Sequence, residues 1–127
     1  MTVTAFPLRG NKLISFIEDL QEQGYKHQDI APMAGYVYPW GKVKWTEYYE
    51  ELMIAKGMVN RWEVQYHGMS SHVIMATDAT PGLVTRRVKK QLGLTGVRCT
   101  RIRLNDVTFL YPQDNPNEYV MFWIANK

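Results

Sequence analysis

Between Asp78 and Asp106 the sequence holds no acidic residue, yet it holds seven bases: Arg86, Arg87, Lys89, Lys90, Arg98, Arg101 and Arg103. Guanidinium and ammonium groups at this density, with no carboxylate to neutralise them, suit a polyphosphate. Each can displace a condensed counterion from a nucleic-acid backbone, and an arginine can also pair with the edge of a base. A solvated helix face beside a solvated strand has the same composition, so the run by itself leaves both readings open. A second concentration is aromatic. Tyr36, Tyr38, Trp40, Trp45, Tyr48 and Tyr49 fall within one 14-residue window, interleaved with Pro39, Lys42 and Lys44. Some of these rings must fill the core of a small helical unit. A turn carrying Tyr38, Trp40, Lys42 and Lys44 near its tip nevertheless exposes at least one large ring, and rings beside cations suit base stacking or a protein hot spot.

Catalytic chemistry has fewer footholds. The histidines are His27, His67 and His72. His67 and His72 flank a turn and could approach each other, but only Glu63 and Asp78 lie near in sequence, and surface histidines are the default. Cys99 follows Arg98, which could favour its thiolate; a buried structural cysteine is the better reading. As the single cysteine it can form neither an intrachain disulfide nor a cysteine zinc cluster. Glu47, Glu50 and Glu51 read as a solvated helix face. Glycine-rich phosphate loops are missing. The expectation is therefore a protein that works by binding, not an enzyme, with no cofactor and no metal.

The elements that must carry these residues follow from periodicity. Leu13, Phe16, Ile17 and Leu20 recur at spacings of three and four, opposite Glu18, Asp19 and Glu22, and predict a helix over 11–23 with Gly24 as its cap. A short second helix runs to Gly35, with Pro32 required in its first turn. Residues 36–45 then form a short hairpin that turns at Pro39 to Gly41. Thr46 opens a third helix that ends at Gly57. Helix, turn and short helix make the front of a helix-turn-helix pattern, although no recognition helix follows.

After a boundary near 57–60 the rhythm changes. Trp62, Val64 and Tyr66 alternate with polar residues as a strand. A turn at Gly68-Met69-Ser70 leads to a second strand over 71–77. Thr80-Pro81 caps a helix whose apolar stripe is Val84, Val88 and Leu92. Strands over 97–104 and 107–111 are joined by Asn105-Asp106, and residues 119–125, apolar on both faces, predict a central strand. The fold class is α+β: a helical unit with a hairpin over 1–57, then a mostly antiparallel ββαβββ sheet unit with one helix over 58–127, the second packed on the first.

The chain has 127 residues, 46% of them hydrophobic and 21% charged, and a net charge of +3. That composition excludes disorder as the main state. The charge is uneven. Residues 1–57 hold six Lys/Arg against seven Asp/Glu, whereas residues 58–127 hold nine against five. There is no apolar run of membrane-spanning length and no pattern of a signal peptide at the start, so the expectation is a cytoplasmic protein without a membrane partner.

Four segments occur in a fixed order. They are Pro7-Leu8-Arg9-Gly10-Asn11-Lys12-Leu13, then Ala34-Gly35-Tyr36, then Lys42-Val43-Lys44, then Tyr48-Tyr49-Glu50-Glu51-Leu52-Met53-Ile54-Ala55-Lys56-Gly57. This series resembles the N-terminal segment of the cyanobacterial AbrB-like transcriptional regulators. It covers residues 7–57 and does not extend into 58–127. The resemblance implies a cyanobacterial or cyanophage origin, a regulatory role and a homodimer; it assigns no DNA-binding residues. Together with the basic run, it leads to the expectation of a DNA-binding regulator that contacts duplex DNA through Arg86, Arg87, Lys89, Lys90, Arg98, Arg101 and Arg103. The alternative is a protein-interaction module, phage- or cyanobacterium-encoded, that meets an acidic protein surface through Tyr38, Trp40, Lys42 and Lys44.

Overall fold

The computed structural model of the chain describes residues 7–125. The fold is α+β, and the chain divides between Met58 and Val59 into two units.

The first unit holds α1 (Gly10–Glu22), α2 (His27–Ala34) and α3 (Glu47–Ala55), with a hairpin at 36–44 between the last two. Helix α1 buries Leu13, Ile17 and Leu20, the stripe that the spacing predicts. It closes at Gly24, whose φ of 87° lets the Tyr25 N–H reach the Leu20 carbonyl at 3.0 Å. Helix α2 departs from expectation. It starts at His27, two residues after Tyr25, yet still early enough that Pro32 is its sixth residue of eight rather than a first-turn residue. So late in a short helix the proline forfeits one backbone hydrogen bond, and the helix stops two residues later at Ala34.

In the hairpin, Val37 bridges Val43, and Tyr38 N–H donates to the Lys42 carbonyl at 2.8 Å. Gly41 N–H closes the turn on the Tyr38 carbonyl at 2.9 Å, with Pro39 at the position where its fixed φ fits. The Thr46 hydroxyl accepts from Tyr49 N–H and starts α3. The Lys56 ammonium, just beyond α3, lies 2.9 Å from the Glu18 carboxylate on α1.

One acidic residue is not where the sequence put it. Glu50, read as part of a solvated face, is 7% exposed. Helix α3 turns the consecutive pair Tyr49 and Glu50 toward the interior together with Met53, because the aromatic ring at 49 is what the core needs. Tyr36 and Tyr49 stack with centroids 4.1 Å apart and planes 6° from parallel, and Trp45 adds a contact to Tyr49 at 5.5 Å. The Tyr36 hydroxyl donates to the Leu8 carbonyl at 2.7 Å. The Tyr49 hydroxyl is buried with no hydrogen-bond partner among the described residues.

The second unit holds β1 (Val59–Tyr66), β2 (Met69–Ala76), α4 (Pro81–Gln91), β3 (Cys99–Leu104), β4 (Val107–Pro112) and β5 (Val120–Ile124). The strands form one sheet in the order β2-β1-β5-β4-β3, antiparallel throughout. The last strand is thus the central one, as its two apolar faces predict. The first turn is one to two residues earlier than expected. His67 (φ 54°) and Gly68 (φ 70°) make it, and both lie in the left-handed region that tight hairpins require. Strand β2 accordingly begins at Met69. Helix α4 lays Val84 and Val88 on Val64, Val73, Leu110, Val120 and Phe122. Among the described residues no helix is long and apolar enough to cross a membrane.

Burial pushes the phenols of Tyr36 and Tyr49 above the ordinary value of 10.0, the stacked partner adding to the effect at Tyr49. A raised phenol favours the neutral ring in the fold. Its contribution is complete below the unfolded-chain value of 10.0 and is lost as pH rises beyond it. Tyr49→Phe removes the unpartnered hydroxyl and is expected to stabilise the protein by about 1 kcal/mol at neutral pH. It should also reduce the loss of stability above pH 10. Urea unfolding of parent and variant at both pH values measures this; a less stable variant contradicts it.

Candidate nucleic-acid interface

Helix α4 is positioned by its ends and flanks. The Thr80 hydroxyl accepts from Leu83 N–H at 3.2 Å, and Pro81 occupies the first turn. At the other end the Gln91 amide donates to the Ser71 hydroxyl and to the His72 carbonyl, at 3.2 and 3.0 Å, and fixes the helix to β2. On the opposite flank, Arg101 of β3 donates to the Thr85 hydroxyl at 3.4 Å. With Val84 and Val88 facing the sheet, the 3.6-residue period turns Arg86 and Lys90 outward and places Arg87 on the β2 flank. All three are exposed. Lys89 differs. Its ammonium donates to the Val97 carbonyl at 2.6 Å, so this base holds the loop after α4.

The strand arginines are placed by register. Cys99 pairs with Pro112, Arg101 with Leu110 and Arg103 with Thr108. Residues paired across an antiparallel ladder point to the same face. Leu110 belongs to the core beneath α4, so Arg101 and Arg103 emerge on the helix-bearing side. Thr100, Ile102 and Leu104 take the other. Arg103 also donates to the Asn105 carbonyl at 3.3 Å and lies 3.9 Å from Asp106, an exposed pair of small energetic weight. The structure therefore brings Arg86, Lys90, Arg101 and Arg103 onto one layer, leaves Arg87 and Arg98 exposed at its margins, and engages Lys89 internally.

One feature of this layer does not follow from the basic run. Beside the first turns of α4 the sheet is open, and a cleft of about 630 Å³ lies there, bounded by Pro81, Val84 and Thr85 on the helix and by Trp62, Phe122 and Ile124 on the sheet. Arg101, Arg103 and Asp106 stand at its β3 side. The available signal was parity: in 99–104 the two arginines share the face of Cys99, which packs against the core.

The aromatic hairpin of the first unit has its own geometry. Tyr38 and Trp40 stack 4.6 Å apart with planes 4° from parallel, and the Lys44 ammonium lies 5.8 Å from the Tyr38 centroid. Trp40 is 69% exposed, and Lys42 and Lys44 are exposed as well. The histidines do not gather. His67 stands in a turn 3.9 Å from Glu118, while His72 sits opposite Glu63 and beside Arg61. Among the described residues no three His, Cys, Asp or Glu side chains converge. Cys99 is half-buried, its thiol facing the Val97 carbonyl at 3.7 Å.

Because Trp40 is held by little besides Tyr38, Trp40→Ala is expected to change stability by less than about 1 kcal/mol. Tyr36→Ala, which empties a stacked and buried site, should cost about 3–5 kcal/mol. Denaturant midpoints of the two variants decide the matter, and similar losses in both would mean that Trp40 is part of the core.

Comparison of the chain with protein-family models, with curated proteins and with solved structures finds no match.

Proposed function

We propose that this is a non-enzymatic, DNA-binding regulator whose α4–β3 layer grips the phosphate backbone of duplex DNA. The observation that carries this reading is the acid-free segment 79–105, which folds into an adjoining helix and edge strand and presents six exposed bases there. Arg86, Arg87 and Lys90 supply phosphate contacts from the helix. Arg101 and Arg103, two residues apart on one strand face, supply forked donors that fit phosphate or a guanine edge. Lys89 is a scaffold residue in this reading. The resemblance of residues 7–57 to AbrB-like regulators supports the regulatory role, and with it a homodimer, which doubles the number of phosphate contacts. A cytoplasmic location belongs to the same proposal.

A second reading rests on a different observation, the exposed Tyr38–Trp40 stack beside Lys42 and Lys44. It is a protein-interaction module docking on an acidic surface through an aromatic anchor.

Salt separates the two. A surface that neutralises about six phosphates loses on the order of a thousandfold in affinity between about 50 and 200 mM salt. Reversing Arg86, Arg87 and Lys90 to Glu should leave the fold intact, since none of them makes an internal contact of the Lys89 kind, and should abolish retention of random duplex DNA. Electrophoretic shifts at both salt concentrations test this. Binding by the triple variant equal to that of the parent at low salt overturns the α4–β3 reading, and capture of a protein partner that needs Trp40 and is much less sensitive to salt favours the second.

A further inference from the structure

We propose that the cleft beside α4 is a binding site for a small aromatic organic anion, a fused-ring or aryl group bearing a carboxylate, sulfonate or phosphate. The site stands on its own geometry and does not require the nucleic-acid reading.

Size comes first. A volume of about 630 Å³ lies within the range of roughly 300–1,000 Å³ typical of small-molecule sites. The walls are apolar on the sheet side, where Trp62 and Phe122 meet with centroids 5.9 Å apart and planes tilted by 60°, next to Ile124. Such a wall suits a flat ring, by stacking and by edge-to-face contact. Trp62 also carries a buried indole N–H with no acceptor among the described residues. A buried donor left unsatisfied costs free energy, and because this one is shielded from solvent a ligand relieves that cost only by bringing an acceptor as the wall yields.

Charge selects the sign. Among the described residues Arg101 has one hydrogen-bond partner, the neutral Thr85 hydroxyl at 3.4 Å. Its guanidinium therefore keeps most of its five donors and its whole charge. Arg103 is partly matched by Asp106 at 3.9 Å, so the rim as a whole is positive and Arg101 is its unneutralised member. An anion with an apolar body finds in one place a wall for the body and a fork for the head. A ligand seated there also occupies Arg101 and Arg103, so it would compete with any polyanion that uses the same strand.

The experiment uses the full chain and two probes of similar body, anionic 1-anilinonaphthalene-8-sulfonate and uncharged N-phenyl-1-naphthylamine. The sulfonate should bind saturably at one site, followed by fluorescence and calorimetry. Arg101→Met should weaken the sulfonate by about tenfold and leave the uncharged amine within about twofold. In nitrogen–proton spectra the indole signal of Trp62 should shift with the sulfonate while those of Trp40 and Trp45 stay in place. The triple reversal of Arg86, Arg87 and Lys90 should bind the sulfonate like the parent even where DNA binding is gone, so the two proposals fail separately. Equal sulfonate affinity in Arg101→Met and parent, or a shift at Trp40 with none at Trp62, overturns the proposal. Arg101 is exposed, so its replacement is not expected to disturb folding, and circular dichroism of the variant verifies that.

Discussion

The pairing of β3 with β4 in a single register decides where the arginines of this protein stand. Val120 and Phe122 of the central strand face α4, and their partners Leu110 and Thr108 follow them to that side. Arg101 and Arg103 follow Leu110 and Thr108 in turn. A slip of one residue would carry both arginines to the far side of the sheet and bring Ile102 and Leu104 up beside the helix. The turn at Asn105, with φ at 54°, and the burial of Leu110 oppose that slip from two directions. The basic layer is thus a consequence of core packing two strands away.

Helix α4 is held on the same sheet by unlike means at its two flanks. Toward β2 a neutral amide, Gln91, bonds to the strand; toward β3 the partners are Thr85 and Lys89, a hydroxyl bonded to an arginine and an ammonium bonded to a carbonyl. The helix lies close to the strands along Val84 and Val88 and leaves the sheet open beside its first turns. In the first unit the stacking of Tyr36 on Tyr49 plays a comparable part. It fixes the start of the hairpin against α3, while at the tip the rings of Tyr38 and Trp40 stack on each other.

Much of this was legible in the residues. The α1 stripe, the Thr46 and Thr80 caps, the glycine stops and the central place of the last strand follow from periodicity and backbone preference, which act locally. What was not legible depends on partners distant in sequence. Glu50 reads as surface because its neighbours Glu47 and Glu51 are charged, and it turns inward with Tyr49 and Met53 when α3 packs. Pro32 reads as a helix starter, yet the helix ends so soon after it that one lost bond is tolerated. His67 reads as the end of a strand and Gly68-Met69-Ser70 as the turn, although a left-handed pair needs just two residues. Lys89 looks like its neighbours in composition, and its bond to Val97 arises only when the loop folds back. For the cleft the residues offer only the parity of 99–104, because its walls come from α4 and from strands at both ends of the unit.

The sheet's two outer strands face different prospects. A strand at the rim offers unpaired N–H and C=O groups to any passing chain, and charge is a common deterrent to such addition. Strand β3 carries Arg101 and Arg103 and is preceded by Arg98, so a second copy approaching it antiparallel meets like charge. Strand β2 contains no Lys, Arg, Asp or Glu and leaves Met69 73% exposed. Its guard is the Gln91 amide, which already occupies the His72 carbonyl. Growth of the sheet by added strands is therefore opposed at one rim by repulsion and at the other by a neutral amide, and loosening the C-terminal turn of α4 would uncover a stretch of rim that carries no Lys, Arg, Asp or Glu.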